Sequence, residues 1–205
     1  MKITIFGATG QTGLILTKMA LENGHEVTAF VRSPQKITFT NEKLTIIKGS
    51  IYDKEEVSAA MKGSDAVVSC LGGEANKKTT TLTDMTKVIV DAMKENDISR
   101  ISYIATAGIH KEIPGLFINL IINLLFKNVI NDHKGAVDYI IDNKLSFTIA
   151  RPLSLVEGSL TNTYRKTMQG VPKRGKNLSR EDLASFLLES IEESKYINES
   201  VGLAY

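Results

Sequence analysis

Three glycines recur at every third position in Gly7-Ala8-Thr9-Gly10-Gln11-Thr12-Gly13, directly after the apolar run Lys2–Phe6. Between a strand and the start of a helical pattern, this spacing suits a loop whose backbone N–H groups close on a pyrophosphate. Gly7 would turn the chain, Gly10 would admit the phosphates, and Gly13 would let helix and strand pack closely. The anion would then rest at the positive end of the helix that follows. All seven residues of the loop are candidate dinucleotide contacts.

The end of the second strand narrows the choice of nucleotide. A site that selects NAD places a carboxylate roughly 20 residues beyond the glycines, where it bonds the ribose 2′-hydroxyl. The segment HEVTAFVRSP instead ends in Arg32 and Ser33. A guanidinium suits a 2′-phosphate, which a carboxylate would repel. NADP is therefore the expected cofactor, with NAD the weaker alternative.

Other chemistries find no constellation. Cys70 has no CxxC partner, and His25, His110 and His133 lack ligand spacing, so no metal is expected. Ser69-Cys70-Leu71-Gly72 is not a nucleophile elbow. The pairs Lys77-Lys78 and Lys173-Arg174 read as solvated loop charges.

The elements that must carry these residues alternate along the chain. Strands are expected at Lys2–Phe6, Glu26–Val31, Leu44–Lys48, Ala66–Ser69, Ile101–Ala105 and Phe147–Ala150. Helices are expected at Thr12–Glu22, Lys54–Met61, Leu82–Glu95, Val129–Asn143 and Arg180–Glu193, the last opened by a capping box at Ser179. Glu199 to Tyr205 reads as a final strand. The strands are nearly continuous apolar runs, as parallel strands buried on both faces should be. The rhythm predicts an α/β fold, a Rossmann-like doubly wound, mostly parallel sheet with helices on both faces. Residues 1–205 are expected to form one domain, its substrate side built from about 109–128 and 153–178.

Composition agrees with a folded chain. With 42% hydrophobic and 23% charged residues, 205 residues can bury a core without covalent staples. A net charge of +2 is too small to make nucleic acid the expected partner. One cysteine and no signal-peptide pattern point to the cytoplasm. The apolar run Gly115–Phe126 falls short of the roughly 18 residues a membrane span needs. It reads as a helix buried in the fold or in a contact between two copies of the chain. A lid over a greasy substrate site and an interfacial helix are the alternatives.

GATGQTG, FVRSP, TIARP and LSREDLASFLLE, in that order, resemble the atypical short-chain dehydrogenase/reductase group. The likeness is to its small NAD(P)-binding members, the NmrA-like proteins and the biliverdin/flavin reductases, and it covers essentially the whole chain. The resemblance implies that Gly49, Ser50 and Ile51 bracket the adenine, although Ser50 stands where the group usually has Asp. It further implies that Leu71, Gly72 and Gly73 run beside the cofactor ribose, and that Ala105 and Thr106 face the nicotinamide. After Arg151 and Pro152, the residues Leu153, Ser154 and Leu155 would cover the back of that ring.

The wider superfamily protonates its substrate with a Tyr in Tyr-x-x-x-Lys spacing. Aligned on TIARP, the helix NVINDHKGAVDYIIDN has Val129 in the Tyr place and His133 near the Lys place, with Lys134 and Tyr139 nearby. Thr106, in the place of the superfamily's Ser, and His133 are the remaining catalytic candidates. His110 and Tyr164 are secondary ones. Hydride transfer to a flavin, a quinone or a tetrapyrrole can take its proton from solvent. The expected activity is thus NAD(P)H-dependent reduction of a small, flat, conjugated acceptor. The alternative is an NADP(H)-sensing binding protein without turnover.

Overall fold

A computed structural model of the chain describes residues 1–73, 80–110 and 116–205, and over 116–125 the helical backbone alone. The first half alternates β1 (Lys2–Phe6), α1 (Gln11–Glu22), β2 (Glu26–Val31), β3 (Leu44–Lys48), α2 (Lys54–Ala60), β4 (Ala66–Ser69) and α3 (Thr81–Glu95). The second half runs β5 (Arg100–Ile104), α4 (Leu116–Asp142), β6 (Ser146–Pro152), β7 (Leu155–Val156), β8 (Arg165–Thr167), β9 (Leu178–Ser179), α5 (Arg180–Glu192) and β10 (Glu199–Ala204).

Eight strands form one sheet in the order β3-β2-β1-β4-β5-β6-β10-β8. All neighbours are parallel except β8, which runs antiparallel to β10. Strand order reverses between β1 and β4, the switch point at which an open α/β sheet leaves a crevice beyond its strand ends. One face packs on α1 and α5 through residues such as Leu16, Ala20, Leu183 and Phe186. The other packs on α2, α3 and α4 through Val57, Ile89, Met93, Val137 and Ile140. The expected fold class is the one observed.

The deviations have local causes. β5 lies one residue earlier than expected, and β6 continues through Pro152. The helix expected from Val129 begins at Leu116 and absorbs most of the apolar run. Whether that run joins two copies of the chain rests on side chains outside the described residues, as do Gly115, Lys77 and Lys78. β3 is the sheet edge and is half exposed, unlike the strands buried on both faces. β8 is short and polar, and the β7–β9 pair is only two residues a strand, so neither carries a periodic signal.

Two buried carboxylates fasten helices to their surroundings. Ser179 caps α5, its hydroxyl accepting from Asp182 N at 3.0 Å. The return arm of the expected capping box is not made, because Ser179 N bonds the Tyr205 hydroxyl. Asp182 instead accepts from Thr161 N, Thr161 Oγ1 and Asn162 N at 2.7–2.9 Å, pinning the loop before β8. Asp132 of α4 caps α3 from outside, accepting from Leu82 N at 3.0 Å, Thr83 N at 2.9 Å and Thr83 Oγ1 at 2.8 Å. One turn on, a Cβ at Gly135 would lie 2.6 Å from Thr83 Oγ1, so the small residue lets the helices close.

Candidate functional site

A cleft of about 510 Å³ opens at the carboxyl ends of β1 to β4. Gly7 and Thr9 line it from the first loop, and Arg32 from the end of β2. Ser50 and Ile51 line it after β3, and Leu71, Gly72 and Gly73 after β4. These expected residues come together at the switch point. Phe6, Phe30, Val31, Gly49, Tyr52, Thr81 and Met85 complete the wall. Phe6 and Phe30 meet at 5.6 Å between ring centroids. Of these, only Gly49 belongs to the expected site, since a strand-end Phe looks like any core residue in sequence.

The loop geometry decides whether a dinucleotide fits. Gly7 has φ +76°, and a Cβ there would lie 2.7 Å from the Cys70 carbonyl. At Gly13 a Cβ would lie 2.2 Å from Gly7 O. The fold itself therefore requires both glycines. Gly10 is different: it is exposed, and an added Cβ would meet only Gly7 O at 3.2 Å. As N-cap of α1 it supplies no side-chain acceptor, and the first turn carries no acid. The helix thus presents uncapped amides at its positive end, with a cradle kept free of side chain. The residues present fit a pyrophosphate. Ala8 and Thr12 are buried beside this loop, while Gln11 is exposed and Ser33 half-buried.

Ser50, in the place of the group's usual Asp, is committed to the turn. Its hydroxyl accepts from Tyr52 N at 3.3 Å, and its own N–H donates to Glu56 Oε2 at 2.9 Å.

The nicotinamide-side candidates lie further along the sheet and do not wall this cleft. Ala105 N donates to Ala150 O at 2.8 Å and Ala107 N to Pro152 O at 3.2 Å, drawing Ala105 and Thr106 alongside the end of β6. Thr106 is half-buried there, as are Leu153 and Leu155, while Ser154 is exposed. His110 bonds Ser200 Oγ at 3.0 Å. Tyr164 is buried edge-on against Phe186, the packing role that competes with a substrate role. Lys134 pairs with Asp138, and the Tyr139 hydroxyl donates to Asp91 at 2.8 Å. Lys173 and Arg174 are exposed.

His133 is buried, with Nδ1 3.3 Å from the Tyr103 hydroxyl and the two rings edge-on. It does not wall the cleft. Burial pushes it down to about 4, partly opposed by the charge of Asp132, so it is neutral at physiological pH. The unfolded chain protonates this ring near 6.5 while the folded chain refuses the proton until about 4. Its contribution to stability is complete above pH 6.5 and falls away as pH drops toward 4, by on the order of 3 kcal/mol. Denaturant unfolding across that window should flatten in His133→Gln; an unchanged slope would remove His133 as the cause. Burial likewise pushes the Cys70 thiol up to about 12, which leaves this half-buried group at the edge of the core unreactive. Among the described residues, no three His, Cys, Asp or Glu side chains form a metal cluster, and no helix is long and apolar enough to cross a membrane.

A family model described as NAD(P)H-binding matches residues 7–194. The chain belongs to the NAD(P)H-binding family. The resemblance to atypical short-chain dehydrogenases/reductases holds with it. The YwnB protein of Bacillus subtilis is 24% identical over 215 residues, covering 97% of this family member and 96% of YwnB. The photosystem II assembly factor Ycf39 of Synechocystis is 27% identical over 203 residues, covering 94% of the chain. The isoflavone reductase homolog IRL of Zea mays is 32% identical over 103 residues, 46% of the chain. The chain spans only 59% of the assembly factor's length and 31% of the reductase homologue's. A Veillonella parvula short-chain dehydrogenase/reductase solved with NADP shares the fold, with TM-score 0.84 and 21% identity over 100% of this chain and 94% of its own. ChuY, an anaerobillin reductase from Escherichia coli O157:H7, shares it with TM-score 0.82 and 19% identity, over 100% of this chain and 97% of its own.

Proposed function

We propose that this NAD(P)H-binding protein is a cytoplasmic, NADPH-dependent oxidoreductase that reduces a small, flat, conjugated acceptor. Arg32 carries the choice of NADPH: it stands in the cleft wall at the end of β2, where an NAD site needs a carboxylate. The loop 7–13 holds the pyrophosphate on the uncapped amides of α1. Arg32 and Ser33 hold the 2′-phosphate, Ser50 and Ile51 flank the adenine, and Leu71 to Gly73 border the ribose. Ala105 and Thr106 face the nicotinamide, with Thr106 bonding its amide or the substrate, and Pro152 to Leu155 back the ring. His133, the other catalytic candidate, is a neutral ring that meets the Tyr103 hydroxyl, so any part it plays is as a hydrogen-bonding group rather than as an acid.

A bound NADPH would supply the hydride. With no Tyr-x-x-x-Lys in α4 and His133 held neutral, neither the superfamily's usual acid nor a charged imidazole stands ready among the described residues to protonate the substrate. That restricts the substrate to acceptors that spread the incoming charge and collect a proton from water. The same observation favours the second reading, a protein that binds and reports NADP(H) without turnover.

NADPH consumption against a panel of flavins, quinones and linear tetrapyrroles separates the two. Turnover of one of them supports the reductase, and tight NADPH binding with no turnover supports the sensor. Arg32→Asp is expected to weaken NADPH by about 100-fold and NADH by less than about threefold, as loss of a charge-assisted phosphate contact requires. Equal losses for both cofactors would show that Arg32 does not read the 2′-phosphate.

A further inference from the structure

We infer that Tyr52 is the base-stacking residue of the cleft, its ring forming the outer wall against the adenine. This inference rests on the reading of the cleft as an NADP site. At 59% exposure, Tyr52 is the most exposed large apolar side chain among the described residues, yet it lines the cleft with Arg32 and Ile51. Its ring meets no other aromatic ring or cation, and its hydroxyl has no partner, among the described residues.

The backbone that carries it is nonetheless tightly braced. Ser50 N donates to Glu56 Oε2 at 2.9 Å, Tyr52 N to Ser50 Oγ at 3.3 Å, and Asp53 N to Ser50 O at 2.9 Å. Asp53 in turn caps α2, accepting from Glu55 N and Glu56 N at 3.1 and 3.0 Å. Four bonded residues thus hold one unpartnered ring at the rim of a nucleotide-sized cleft. The braced backbone fixes where the side chain leaves the chain, so ordering the ring costs only its two side-chain torsions when a flat base covers it, and a purine offers the matching π face. The arrangement also accounts for Ser50: its hydroxyl and N–H shape the turn, and the base is gripped by the neighbouring ring.

The test is calorimetric titration of NADPH and of adenosine 2′,5′-bisphosphate, which carries the adenine and 2′-phosphate without the nicotinamide. Tyr52→Ala should weaken both ligands by the same factor, about tenfold, and Tyr52→Phe should bind both within about twofold of the unmodified chain. Because the side chain is exposed, the thermal midpoints of all three proteins should agree. Undiminished binding by Tyr52→Ala, or equal weakness of Tyr52→Phe, would overturn the stacking role. If the unmodified chain binds neither ligand, the reading of the cleft itself fails, and the inference falls with it.

Discussion

Gly13→Ala is expected to destabilise the chain by about 3 kcal/mol or more and to abolish NADPH binding, whereas Gly10→Ala should fold normally and lose only the cofactor. At Gly13 the new Cβ would lie 2.2 Å from Gly7 O and 2.9 Å from Ala8 Cα. Both are backbone atoms of a strand-to-helix turn, so no side chain can swing aside, and overpacking against backbone takes the upper end of the usual cost. At Gly10 the same methyl meets a single carbonyl at 3.2 Å and otherwise open space. Its cost to the fold is the loss of a tolerable N-cap, about 0.5–1 kcal/mol. The space it fills is the one proposed for the phosphates beside the amides of α1. Thermal unfolding paired with NADPH fluorescence titration checks both variants. Gly10→Ala that binds NADPH as tightly as the unmodified protein would mean that the phosphates lie elsewhere.

Asp132→Ala is the second large effect. Three donors from the first turn of α3 converge on one carboxylate that is itself buried. Removing it leaves the buried Leu82 amide and the half-buried Thr83 amide and hydroxyl without their acceptor. A buried unsatisfied donor costs about 1–3 kcal/mol, and the sum here is expected near 4 kcal/mol because the bonds share one acceptor. Asp132→Asn keeps one acceptor oxygen and should fall about midway. The damage should reach the cleft, because Thr81 and Met85 of the same helix end line it. Chemical denaturation ranks the stabilities, and NADPH affinity should follow the same order. Affinity unchanged in Asp132→Ala would uncouple the helix clamp from the site.

The two cases show what a sequence exposes. GATGQTG and the Arg32 strand end are local signals: a few adjacent residues turn the chain, free a helix terminus and set a charge, and neighbouring strands need only be parallel for the rest to follow. The first four strands were readable to the residue for the same reason, each being an apolar run bounded by turn residues. Asp132 carries no such signal. Its partners lie 49 and 50 residues away, and in sequence it is one acid among several on an amphipathic helix. The Ser179 box was legible as a start signal, but its Asp182 arm was diverted by Thr161, Asn162 and Tyr205, all distant in sequence. The same division runs through the site. The half proposed to hold the adenine follows from strand ends, whereas the proposed nicotinamide half around Thr106 depends on how the segments after β5 and β6 settle beside each other. His133 looked available for chemistry on its helix, and only packing against Tyr103 revealed a buried, neutral ring.

The cleft at the β1–β4 switch point is proposed to hold NADPH in preference to NADH. Calorimetric titration of each cofactor into the unmodified protein measures that preference. One NADPH should bind per chain, at least about tenfold tighter than NADH, a difference of about 1.4 kcal/mol. NADH binding as tightly as NADPH, or no binding of either, would contradict it.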